Sequence, residues 1–521
     1  MPTLLTESAV VPARHPRGTA NVSDFLLAGK DPARTALLTL KRTYSYGQLQ
    51  SACAAVAGFL LEHGGCKGDR VLLLGDNSFF WIAAYLGAMR AGLVVVPLPP
   101  GSEPENLQHV VDLTEPRFAF LQGKASHAAS LMPNTVVVTD IPDASASDAV
   151  TFRGLLDHSH ATFAEHRDLP ERHEDDLAAL MFTSGSTGKP RGVMISHGNI
   201  IANTRSIIPC LRLTANDRVM AVLPFYYCFG ASLLHTHLCA GGSVVTDSRF
   251  MYPDKVLQRM AETDCTGFAG VPSHFQILLR KSSLPRMKFP RLRYVQQAGG
   301  HLAPVFVRAL AATLPSAQVF LMYGQTEATA RLTCLSPSAV SVKPSSIGKA
   351  IPGVKLRVLN DAGHDVKPGE PGEIVAEGNN IALGYWRDKT ASAATFSQRA
   401  LRTGDIATVD EEGFLYLLDR TRDFVKCGGE RISCQNLEEQ LLEFDGLLEA
   451  AVIGVPDEVL GEAVKAFVVP RDPSSPNFED RLRQFCKQNI PLKLIPRVIV
   501  TLKALPKNTS GKVLKPALRQ M

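Results

Sequence analysis

The sequence holds ten cysteines but no CxxC pair and no tight Cys/His cluster. That excludes the common zinc patterns, and thiols scattered in this way read as reduced cysteines of a cytoplasmic protein. His235-Thr236-His237 lies in an apolar helical stretch and reads as packing rather than metal binding. No apolar run is long enough to cross a bilayer, and Arg14 and Arg17 are not followed by an apolar core of signal-peptide length. The expectation is a chain that is neither secreted nor membrane-spanning. There is no long basic run and no basic stripe with interleaved aromatics, and a net charge of +5 is modest for 521 residues. Nucleic acid is therefore not an expected partner. Low-complexity tracts are missing too. What is present is 45% hydrophobic and 20% charged residues, the balance of a globular protein long enough for two or more domains with large cores.

One stretch organises the rest: Thr183-Ser184-Gly185-Ser186-Thr187-Gly188-Lys189-Pro190-Arg191-Gly192. An apolar run, Leu177 to Phe182, precedes it and another, Val193 to Ile195, follows, so the small residues form a loop between two strands. Its hydroxyls, glycine N–H groups and two cations suit a polyphosphate, although residues of these types also make plain turns. It is not a P-loop: Gly185 stands too close to Gly188-Lys189, and Pro190 occupies the Ser/Thr position and biases Lys189 toward an extended backbone. The stretch resembles the phosphate loop of the adenylate-forming superfamily, which comprises acyl-CoA synthetases, adenylation domains of peptide synthetases and luciferases. The resemblance runs from about Tyr44 to Arg519, with its motifs in the expected order.

The alternation of apolar runs and helical segments predicts an α/β fold. Val71 to Leu74, Leu93 to Leu98, Phe118 to Leu121 and Thr135 to Val138 read as strands, with a helix around Trp81 to Arg90. A second unit repeats the pattern, with strands at Asp217 to Leu223, Ser243 to Val245, Tyr294 to Gln297 and Gln318 to Met322 and a helix at Gly230 to Cys239. Two doubly wound subdomains result, with ligands expected beyond the carboxyl ends of their strands. After about Ser346, Gly- and Pro-rich antiparallel β structure forms a small third subdomain. From Phe424 a compact α+β pattern returns, with helices at Asn436 to Glu443 and Phe478 to Asn489. Residues 1–421 are expected to form the large N-terminal domain and 422–521 a small, mobile C-terminal one.

Tyr323-Gly324-Gln325-Thr326-Glu327 follows a strand, so it falls at a carboxyl end. The resemblance implies that Tyr323 stacks on adenine, that Thr326 contacts the α-phosphate, and that Glu327 binds Mg²⁺. Gly324 and Gln325 complete that nucleotide-binding run, and Ala298-Gly299-Gly300-His301 resembles the loop that closes over adenine and the acyl pocket. In Arg402-Thr403-Gly404-Asp405 an aspartate in a tight turn is suited to accept both ribose hydroxyls; the family's pattern gives that role to Asp405, with Arg420 as the second ribose contact. Arg422 occupies the hinge position, where Asp or Lys is usual, and Gly429 corresponds to the glycine lining the thiol tunnel. Lys512, in Pro506-Lys507-Asn508-Thr509-Ser510-Gly511-Lys512, matches the family's catalytic lysine, a point charge bridging carboxylate and α-phosphate.

The implied reaction is ATP-dependent conversion of a small carboxylic acid to an acyl-adenylate with release of pyrophosphate, then transfer to a thiol. Leu223 to Gly230 corresponds to the stretch lining the acid pocket, together with Gly299 and Gly324. Tyr227 falls at the aromatic gate, and Cys228 falls where amino-acid activators carry an aspartate. A substrate ammonium would have no counter-ion there, which leaves a fatty or aryl acid. The acceptor is coenzyme A or the phosphopantetheine of a carrier protein acting in trans. Two other readings remain: a non-catalytic relative that only binds a nucleotide or acyl ligand, against which Lys512, Glu327 and Asp405 argue together, and a luciferase-like oxygenase.

Overall fold

The computed structural model describes residues 21–141, 149–157, 170, 173–184, 189–397, 400–420, 424–427, 430–457, 461–507 and 513–521. Within it, two large sheets face each other across buried helices. The first has seven strands in the order Val150–Thr151, Val136–Thr139, Phe118–Leu121, Arg70–Leu74, Val94–Leu98, Leu177–Ser184, Pro190–Ser196. All neighbours are parallel except the last pair, which forms an antiparallel hairpin. The second runs Lys349–Ala350, Thr333–Leu335, Gln318–Tyr323, Tyr294–Gln297, Gly267–Gly270, Arg218–Ala221, Ser243–Thr246, Thr35–Leu38, Thr43–Ser45. Its six central strands are parallel and both ends are finished by antiparallel strands. The doubly wound reading holds, with one addition: the amino-terminal hairpin edges the second sheet, not the first.

The helices between the sheets are apolar on every side, as a helix covered all round must be. Phe79–Arg90 starts on Ser78, whose hydroxyl accepts from the Trp81 N–H at 3.1 Å, and it is buried from Phe80 to Met89. Cys228–Ala240 is nearly as deeply covered and ends on Gly241 in the left-handed conformation. The two meet through Tyr85 and His235, with the phenol oxygen 3.1 Å from Nε2, and through Trp81, stacked on Tyr85 and tilted toward Phe225. His237 bonds the Tyr294 hydroxyl at 2.7 Å through Nε2 and the Leu233 carbonyl oxygen at 2.8 Å through Nδ1. Both histidines are thus pieces of the core. Burial pushes them down to about 3 for His235 and about 4 for His237, so both are neutral.

A five-stranded antiparallel sheet covers the end of the second sheet: Val354–Leu359, Gly372–Gly378, Ala400–Val409 and Phe396–Ser397, with Leu415–Arg420 paired to Ala400–Val409. The C-terminal sheet, Glu430–Ser433, Phe424–Cys427, Gly461–Pro470, Leu447–Asp457 with Val498–Thr501, carries the helices Cys434–Leu442 and Phe478–Asn489. Its helices and its central strands fall where the alternation of apolar runs puts them. Among the described residues no helix is long and apolar enough to cross a membrane.

Candidate active site

The hairpin Leu177–Ser184/Pro190–Ser196 holds the ends of the phosphate-loop stretch, with Thr183 opposite Arg191 and Ser184 opposite Pro190. Gly185, Ser186, Thr187 and Gly188 lie outside the described residues, as does the Ser184 side chain; Lys189 is exposed at the loop's end. A second segment adds itself to this hairpin. The Leu383 N–H donates to the Met194 carbonyl, Met194 to Gly384, and Trp386 to Gly192, all at 2.8–2.9 Å. This docking delivers Tyr385, whose hydroxyl donates to Glu327 Oε1 at 2.9 Å, while the Arg191 guanidinium lies 5.8 Å from the Tyr385 ring centre. Burial and the Glu327 charge both raise the phenol's pKa, so it stays a donor.

Tyr323 ends its strand buried, and its hydroxyl donates to Asp405 Oδ2 at 2.6 Å. Asp405 does not stand in a tight turn as its sequence suggests: it lies within the strand Ala400–Val409, after Gly404 at φ +72°. The antiparallel register puts Arg420 directly opposite Asp405, so the two expected ribose contacts are neighbours across one ladder. The Arg420 side chain is outside the described residues. Gly324 is required sterically: a Cβ there would sit 2.2 Å from the Ala330 carbonyl oxygen and 2.7 Å from the Arg331 Cα. Next to it, Gln325 has a buried amide nitrogen without a hydrogen-bond partner.

Gly299, at φ +83°, would bring a Cβ to 3.0 Å from Val271 Cγ1 and 3.7 Å from Phe229 Cδ1, so the backbone takes this course here without strain only as glycine. The Gly300 carbonyl accepts from Gln297 Nε2 at 2.7 Å. Cys228 opens its helix, buried. Burial, opposed by the neighbouring Thr326 hydroxyl, pushes the thiol up to about 12, so Cys228 is neutral and small. Tyr227 precedes it, half-buried, with its ring edge-on to Tyr226. His301 turns outward from this cluster: its Nε2 is 2.7 Å from Glu439 Oε1 on the C-terminal helix Cys434–Leu442.

Arg422, Gly429 and Lys512 fall outside the described residues, but their flanks are informative. Cys427 pairs with Glu430 in an antiparallel ladder. Lys507 pairs with Val513 in an antiparallel bridge. Lys507 itself is held by Glu449. Among the described residues no group of three or more His, Cys, Asp or Glu side chains is arranged to hold a metal ion. One partly buried carboxylate, Glu327, fits Mg²⁺, which is normally bound by one or two carboxylates with substrate phosphates and water completing the shell.

Sequence reasoning passed over two residues of this cluster. Tyr385 is signalled by Gly384-Tyr385-Trp386 after an apolar triplet, and Arg331 by a lone cation inside Ala328-Thr329-Ala330-Arg331-Leu332, a stretch otherwise small or apolar.

Comparison with known proteins follows the same division of the chain. Residues 27–386 match the model of the AMP-binding enzyme family, and residues 436–512 match that of the AMP-binding enzyme C-terminal domain. A long-chain-fatty-acid–CoA ligase of Escherichia coli O157:H7 is 29% identical, covering 93% of this chain and 91% of that one. An oxalate–CoA ligase of Arabidopsis thaliana is 30% identical over 94% and 95%. Among solved structures, ATP-bound MatB from Rhodopseudomonas palustris superposes with a TM-score of 0.84 at 29% identity, covering 96% of this chain and 98% of that one. With matching models over both its large and its small domain, the chain belongs to the AMP-binding enzyme family.

Proposed function

We propose the following division of labour for an AMP-forming acid–thiol ligase. In the first step an oxygen of the substrate carboxylate attacks the α-phosphorus of ATP, the bond to the bridging oxygen breaks, and pyrophosphate leaves. Tyr323, with Gly299 and Gly300, flanks the adenine, Asp405 and Arg420 hold the ribose, and the loop from Thr183 to Lys189 holds the β- and γ-phosphates. Thr326 donates to the α-phosphate, and Lys512 places its ammonium between that phosphate and the acid as charge develops. Mg²⁺, when bound at Glu327, neutralises phosphate charge; Tyr385 fixes that carboxylate by donating to it. In the second step a thiol attacks the acyl carbonyl, its proton is lost, and AMP leaves. Coenzyme A is the acceptor, with carrier-bound phosphopantetheine as the alternative thiol. We place the domain boundary at 421–422, with Arg422 as the hinge and Gly429 on the path of the thiol arm. Ten cysteines without a disulfide suit a reducing compartment such as the cytoplasm.

One observation carries this reading: Tyr323, Thr326, Glu327 and Asp405 gather at the carboxyl end of one parallel strand. Cys228, neutral, stands where amino-acid activators carry an aspartate and offers an ammonium no counter-ion of its own, which supports a fatty or aryl acid. The acids named for the relatives range from long-chain fatty acids to oxalate, so they leave chain length open. The test is acid-dependent ATP–pyrophosphate exchange over a panel of acids without thiol. Lys512→Ala is expected to reduce exchange about a hundredfold to a thousandfold with thermal unfolding unchanged. Wild-type exchange in that variant, or no exchange with any acid in the parent, overturns the assignment.

A further inference from the structure

A cation is buried beside the stretch proposed to line the acid pocket. Arg331 is 2% exposed, and its guanidinium lies over the Phe229 ring, 3.9 Å from the centroid. Its Nη1 makes one long contact, 3.3 Å, with the neighbouring Ala330 carbonyl, while Nε and Nη2 are buried without any partner. Among the described residues no carboxylate lies within ion-pair distance of it; the nearest acidic groups it senses are the thiols of Cys334 and Cys228. Burial lowers its pKa to about 9, which still leaves it charged at neutral pH. An unpaired buried charge is among the costlier arrangements in a protein and persists where something compensates it.

The backbone around it is held against strain. Thr329, a β-branched residue, sits at φ +65°, which such residues rarely adopt. Thr329 Oγ1 donates to the Asn380 carbonyl at 2.7 Å, and the Arg331 carbonyl accepts from Asn203 Nδ2 at 2.9 Å and Asn380 Nδ2 at 3.0 Å. The turn therefore fixes where Arg331 leaves the chain. Its position relative to the site is short-ranged: one face of Phe229 meets the guanidinium, and the same ring lies against the space above Gly299. Phe229 directly follows Cys228, which the Thr326 side chain neighbours.

Resting on the ligase reading above, we propose that Arg331 is the specificity determinant of the acid pocket and that the acid carries a second carboxylate at its distal end, which pairs with the guanidinium through Nε and Nη2. The fork of two parallel N–H groups matches a carboxylate, and Phe229 holds its plane. The reacting carboxylate is the one beside Thr326, so one acid group is activated and the other anchors.

The experiment compares two acids of equal length, one with a terminal carboxylate and one with a terminal methyl group, in ATP–pyrophosphate exchange by the full-length enzyme and by Arg331→Met and Arg331→Lys. Methionine keeps the stacking on Phe229 without charge, and lysine keeps the charge without the fork. The parent is expected to prefer the diacid, and Arg331→Met to lower the diacid-to-monoacid ratio of kcat/KM about a hundredfold. Arg331→Lys falls between, and the diacid raises the Tm of the parent but not of the methionine variant. The inference is overturned if the parent prefers methyl-ended acids and Arg331→Met leaves the ratio unchanged, which would leave the guanidinium to ordered water. Such a result keeps the ligase reading intact; absence of exchange with every acid overturns both.

Discussion

At the scale of single residues, the site is built from side chains whose partners come from distant parts of the chain. Tyr385 is the clearest case, because its hydroxyl joins the segment docked on the phosphate-loop hairpin to Glu327. A hydrogen bond to a charged group contributes about 1.5–3 kcal/mol. Tyr385→Phe removes the bond and keeps the ring, and it is expected to slow exchange about tenfold to a hundredfold and to raise the Mg²⁺ concentration needed for half-maximal rate. Titrating Mg²⁺ in both proteins checks this; a rate loss without a shift in Mg²⁺ dependence would detach Tyr385 from Glu327. The motif residues Tyr323, Thr326, Glu327 and Asp405 are legible in the sequence because each belongs to a run of unlike residues at fixed order. Tyr385 and Arg331 are not, because an aromatic or a cation in an apolar stretch has many uses and only its distant contacts select one.

At the scale of elements, the long strands and the helices Phe79–Arg90 and Phe478–Asn489 follow from apolar runs, while the helix His197–Leu211 does not. It begins His197-Gly198-Asn199, which reads as a turn, and it contains Pro209. A capping box fixes its start: Ser196 Oγ accepts from the Asn199 N–H, and the Asn199 side chain accepts from the Ser196 N–H. Asp405 is misplaced for a related reason, since Gly404 marks a positive φ without saying whether the strand ends there. The buried helix Cys228–Ala240 carries its own prediction. The folded pKa values of His235 and His237 lie below the ordinary imidazole value of about 6.5, so on acidification the unfolded chain takes up protons first. Stability is therefore held above about pH 6.5 and lost as pH falls toward 4, by up to about 1.4 kcal/mol per histidine per pH unit. Thermal unfolding is expected to drop steeply between pH 6.5 and 4.5, and less steeply in a His235→Gln/His237→Gln double variant; equal slopes would show that other groups govern acid unfolding.

At the scale of the molecule, the small domain meets the large one through polar contacts beside shared apolar packing. His301 meets Glu439, Arg308 meets Glu443 at 2.8 Å with both side chains about half exposed, and Arg280 Nη2 reaches the Leu442 carbonyl at 3.4 Å. The exposed pair Arg308–Glu443 contributes about 0–1 kcal/mol. Glu439→Ala combined with Glu443→Ala is expected to speed limited proteolysis between Arg420 and Phe424 severalfold while leaving the Tm of the large domain in place. An unchanged cleavage rate would mean that other contacts hold the two domains together.

The amino-terminal hairpin has a consequence for how the chain is made. Leu37 pairs with Val244, about 200 residues further on, so the strand Thr35–Leu38 has its local partner Thr43–Ser45 early but waits for Ser243–Thr246 before its other edge is hydrogen-bonded. Until then its apolar residues, Ala36 and Leu37, stay uncovered. The second sheet closes only when both ends of that long loop meet, and a nascent chain halted before Ser243 carries an open edge that invites pairing with other chains.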